Sequence, residues 1–93
     1  MANSLAGVPV EMVQHFRTVQ AETKSLFTCK YRERVGRWKN FIVELQESRD
    51  VSPVDAMVML LGALQEQEKE SGKDNRVSQM LLISAAVELI DGE

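Results

Sequence analysis

Residues 52–92 read SPVDAMVMLLGALQEQEKESGKDNRVSQMLLISAAVELIDG, and this stretch decides the fold class. It opens on a helix start: Ser52 is placed to cap, Pro53 occupies the first helical position, where the missing N–H has no partner to lose, and Asp55 follows three residues after the cap. The run Ala56–Leu64 is apolar, a polar tail extends from Gln65 to Glu70, and Gly72 reads as the terminator. Asp74 or Asn75 then caps a further helix that runs from Arg76 to about Ile90 and stops at Gly92. Two adjoining amphipathic segments with a short polar turn form a helical hairpin.

Both segments carry more apolar surface than one stripe. Val54, Met57, Val58, Leu60, Leu61 and Leu64 cover well over a third of the first helix. Val77, Met80, Leu81, Leu82, Ile83, Val87, Leu89 and Ile90 surround the second. A helix that is apolar all round must be covered all round. One solution threads it through the centre of its own bundle. The other supplies a partner chain, and a buried Leu or Ile at such a seam contributes roughly 1.5–3 kcal/mol. The expected oligomer interface is Met80, Leu82, Ile83, Val87 and Leu89.

Upstream, apolar residues recur at Met12, Phe16 and Val19, then at Phe27, Tyr31, Val35, Trp38, Ile42 and Leu45. Steps of three and four predict helices. No Pro or Gly separates the two runs, so residues 9–48 form either one bent helix or two with a join near Thr28. The poor helix formers Thr23, Ser25 and Thr28 favour the join. Gly36 and Gly62 fall inside helices, where each costs about 1 kcal/mol relative to Ala and suggests close approach of another backbone or a ligand, or a bend, close helix–helix packing being the commoner cause. No stretch alternates with period two, so no strand is expected. The fold class is all-α, a small three- or four-helix bundle with the C-terminal hairpin as its core. Residues 1–8 are expected to form a disordered end and 9–93 a single domain.

The composition agrees with a small globular domain. The chain has 93 residues, 44% hydrophobic and 27% charged, with five Gly, two Pro and one Cys. One Cys excludes an internal disulfide framework. The apolar run 56–64 is too short to cross a bilayer, and MANSLAGVPVEM lacks a basic n-region and an apolar h-region. A cytoplasmic protein with no membrane association is expected.

The net charge of −3 conceals a division. Residues 17–49 carry eight basic side chains against four acidic, and residues 50–93 carry three against nine. The basic residues concentrate in KYRERVGRWK, 30–39, where they flank the Tyr31–Val35–Trp38 stripe. Three readings compete. Lys and Arg stems snorkel beside a buried stripe; or the helix docks on an acidic protein, its own C-terminal half included; or it contacts phosphates, with Tyr31 or Trp38 stacking on a base. Candidate partner- or anion-binding residues are Lys30, Tyr31, Arg34, Arg37, Trp38 and Lys39.

The catalytic inventory is sparse. His15 and Cys29 are the only residues of their types, and on one straight helix they stand about 21 Å apart at 1.5 Å per residue. Glu66, Glu68 and Glu70 alternate around a helix end. There is no phosphate loop, nucleophile elbow or zinc spacing. No cofactor, metal or enzymatic activity is expected. The sequence points to a small interaction or regulatory module that binds another protein and self-associates. The alternative is a nucleic-acid- or nucleotide-binding module built on segment 30–39.

Overall fold

A computed structural model describes residues 8–24 and 30–92. These form four α-helices: α1, Val13–Lys24; α2, Tyr31–Arg49; α3, Pro53–Ser71; and α4, Arg76–Asp91. A 3-10 turn at Val10–Met12 leads into α1. The described residues contain no strand. The all-α expectation holds, and the first apolar runs form two helices rather than one. The join near Thr28 and residue Cys29 lie outside the described residues, as do residues 1–7 of the expected loose end. Val8, the last residue of that expected end, is instead buried against the core.

Local chemistry sets the helix ends. Ser52 Oγ accepts the Asp55 N–H at 3.1 Å, and Pro53 follows at the first helical position. Gly72 ends α3 at φ 71°, a left-handed conformation that glycine adopts without a Cβ penalty. Asp50 ends α2 at φ 53° and donates its N–H to Gln46 O at 2.7 Å. At the start of α4, Asn75 occupies the cap position but its side chain is used elsewhere: Nδ2 donates to Leu64 O at 2.8 Å, tying the α3–α4 turn back to the body of α3. Asp74 Oδ1 accepts the Arg76 N–H at 2.9 Å in its place.

The molecule measures 36 × 33 × 18 Å, so it is about two helix layers thick at an interaxial spacing of 8–10 Å. In a two-layer slab every helix keeps one open face. α4 packs against α2 and α3 and also touches α1. The core joins Met12, Phe16 and Val19 of the N-terminal arm to Val35, Trp38, Phe41, Ile42 and Leu45 of α2. Ala56, Leu60, Ala63 and Leu64 of α3, and Leu81, Leu82, Ala85 and Ala86 of α4, complete it. At its centre Phe16, Trp38 and Phe41 meet at tilted and edge-to-face angles, with ring centroids 5.6–6.3 Å apart. Such contacts add about 0.5–1.5 kcal/mol each beyond area burial.

Gly36 and Gly62 do not admit a neighbouring backbone. A Cβ built at either meets nothing within 4 Å, so the expectation of close helix approach there is corrected. Both lie where their helices leave open space.

Candidate functional site

The basic segment 30–39 spans the first half of α2, and its side chains divide by face. Trp38 has no exposed surface and is part of the aromatic centre. It cannot stack on a base or meet a partner, because its stripe is the one α2 turns inward. The sequence reading of Trp38 as a binding residue is corrected accordingly. Tyr31 is half-exposed and donates its hydroxyl to Ser84 Oγ of α4 at 3.0 Å. Lys39 Nζ lies 3.1 Å from Glu88 Oε1 of α4. On the other side of the helix Arg37 Nη1 lies 2.9 Å from Glu22 Oε2 of α1. Lys30 donates its backbone N–H to Glu33 at 3.4 Å and caps α2.

Arg34 is half-buried, and its Nε and Nη1 are covered without a hydrogen-bond partner among the described residues. An uncompensated guanidinium nitrogen away from water is costly, which makes Arg34 the basic residue of this segment with most to gain from an acidic group. The six candidate positions therefore do not form one surface. Lys39 and Tyr31 face α4, Arg37 faces α1, and Trp38 is inside.

Between α2 and α4 runs an open groove of about 690 Å³ lined by Tyr31, Arg32, Gly36, Lys39 and Glu88. The missing side chain of Gly36 leaves room in it. A second cleft, of about 360 Å³, lies where the end of α1 meets the α3–α4 turn and is lined by polar side chains that include Gln20, Gln67, Lys73 and Asn75. Among the described residues no cluster of three or more His, Cys, Asp or Glu is placed to hold a metal. His15 Nδ1 lies 2.8 Å from Glu44 Oε2 and its ring rests edge-on against Phe41, a bridge from α1 to α2.

The expected oligomer residues divide too. Leu82 has no exposed surface and lies in the chain's own core, so it cannot be an interface residue. Leu89 is half-buried and packs on that core. Met80, Ile83 and Val87 are exposed. Val77 and Ile90 join them, giving five large apolar side chains at 41–56% exposure along one helix. At 100° per residue, Met80, Ile83, Val87 and Ile90 fall within an arc of roughly 80°, nearly opposite the core-facing Leu81, Ala85 and Leu82. Val77 and Ile90 were not singled out for this face from the sequence, although their spacing of three from Met80 and Val87 carried the signal. Ser84 and Glu88, which bind Tyr31 and Lys39, border the stripe. A smaller apolar pair, Val54 and Val58, is exposed on α3.

No helix of the described residues is long and apolar enough to cross a membrane. No family model, curated protein or solved structure significantly matches the chain.

Proposed function

We propose that this protein is a non-catalytic interaction module, regulatory rather than enzymatic, that docks protein through the outer face of α4. The observation that carries the reading is the continuous stripe Val77–Met80–Ile83–Val87–Ile90 on a helix whose opposite side is already committed to the core. Scattered apolar residues on a surface need no explanation, but five aligned along one helix do. The α2–α4 groove, with Arg32 at its edge, borders the stripe and offers a polar rim. The nucleic-acid reading has less support: the ring best suited to stacking, Trp38, is buried, and Arg37 and Lys39 are engaged with Glu22 and Glu88.

The test is affinity capture from the native cell with the wild-type chain and with Met80→Lys/Val87→Lys, together with light scattering on both. Both substituted residues are exposed, so helicity and melting temperature should change little. The reading predicts that association, with itself or with another protein, is present in the wild type and lost in the variant. Unchanged association in the folded variant, or none in either protein, overturns it.

A further inference from the structure

The outer face of α4 is complementary to itself when one copy is turned end over end. About a point between Ile83 and Ser84 the helix reads as a near-palindrome in exposure and in character. Val77 corresponds to Ile90, at 45% and 44% exposure, and Met80 to Val87, at 56% and 47%. The ends correspond with opposite sign, Arg76 to Asp91. We infer that the occupant of this face is a second copy of the chain, with the two α4 helices antiparallel about a two-fold axis passing between Ile83 and Ser84. This deepens the proposed function, and rests on that reading of the α4 face.

The physical argument has three parts. Antiparallel pairing in this register sets Val77 against the partner's Ile90 and Met80 against the partner's Val87, with Ile83 beside the small side chain of the partner's Ser84 at the axis. It places Arg76 beside the partner's Asp91 at both ends. Parallel pairing would instead bring Arg76 against its own copy and align the two helix dipoles, both unfavourable. Asp74 already grips the Arg76 guanidinium through Nε and Nη2, at 2.9–3.1 Å, and so holds the cation at the end of the stripe. The exposed end pairs select orientation more than they add strength. A seam one short helix in length lies at the small end of stable interfaces, so a weak, concentration-dependent dimer is expected.

The experiment uses the full chain in a Cys29→Ser background. Met80→Cys and Val87→Cys proteins are prepared separately, checked for native helicity, and oxidised mildly alone and mixed. In the inferred register Met80 and its copy are offset by seven residues, about 10 Å along the seam. That is too far for a disulfide, whose Cα atoms stand about 4.4–6.8 Å apart. Met80 and the partner's Val87 are opposite each other. The mixture should therefore give a cross-linked heterodimer that neither protein gives alone. Asp91→Arg should weaken the dimer several-fold at low salt and much less in high salt.

Self-cross-linking of Met80→Cys in preference to the mixed species overturns the inferred orientation. A dimer that gives no cross-link places the seam elsewhere and also overturns it. A monomer up to sub-millimolar concentration overturns the second copy as occupant. In each of these cases the broader reading is decided separately, by whether Met80→Lys/Val87→Lys loses an association that the wild type has.

Discussion

Lys39 Nζ and Glu88 Oε1 stand 3.1 Å apart and join α2, from the basic part of the chain, to α4, from the acidic part. One residue pair thus accounts for part of the charge division in the sequence. Tyr31 and Ser84 tie the same two helices at 3.0 Å, two turns away. Arg37–Glu22 and Arg49–Glu11 do the same between α2 and the N-terminal arm. Arg37 and Lys39 of the basic segment, with Arg49 beyond it, thus clamp the helix layers together from their solvent edges. Lys39 and Glu88 are each more than a third exposed, so the pair is screened. A double-mutant cycle of Lys39→Gln and Glu88→Gln, read by urea denaturation, should give a coupling of about 0.2–1 kcal/mol that shrinks in high salt. A salt-insensitive coupling of several kcal/mol would show the pair to be better shielded than the structure has it.

Trp38 is the only tryptophan and is wholly buried. Its emission should be blue-shifted and insensitive to iodide in the native protein, and both properties should vanish on unfolding. Trp38→Ala should destabilise by about 3–5 kcal/mol, a large share of what a small domain has. Trp38→Phe keeps an aromatic ring at the site and should be milder. An exposed, quenchable native tryptophan would contradict the packing of Phe16 and Phe41 around it.

The interior glycines of α2 and α3 should be replaceable with gain. Gly36→Ala and Gly62→Ala each add a methyl to open space while restricting the unfolded chain, so each should stabilise by about 0.5–1 kcal/mol. For a domain of this size that is a rise of several degrees in melting temperature. Gly72→Ala should do the opposite, since its φ of 71° strains any residue with a Cβ. Calorimetry of the three variants separates these signs.

Asp74 should titrate well below an ordinary aspartate. Hydrogen bonds from the Arg76 side chain, then from its backbone N–H, hold the carboxyl at about 2 against a usual 3.8. Because the folded-state value is lowered, the contribution of this carboxylate to the start of α4 is complete above pH 3.8. It is lost as pH falls toward and through about 2. A carboxyl-carbon NMR titration should give that low midpoint, and Arg76→Ala should return it toward 3.8. A midpoint near 3.8 in the wild type would mean that the Asp74–Arg76 fork does not persist in solution.

The amino-acid order alone determined the helical class of the chain and the ends of its last two helices. Ser52, Pro53 and Gly72 act on backbone groups a few residues away, and three-and-four spacing of apolar side chains needs only the helix itself, so α3 and α4 follow from local rules, whereas the division of the upstream run into α1 and α2 was left open by the sequence and decided by the structure. The surplus of apolar surface on α4 was legible for the same reason. Which of its residues make up that surplus was not. Leu82 and Ile83 are neighbours of similar hydropathy, and only the position of α2 and α3 around the helix puts the first in the core and leaves the second at the surface. The same holds for Trp38, inside, against Tyr31, half-exposed, and for Arg37 and Lys39, whose carboxylate partners lie on different helices. Burial and pairing are relations between distant segments. They depend on how the helix layers stack, and periodicity within one helix fixes a face without saying what that face will meet.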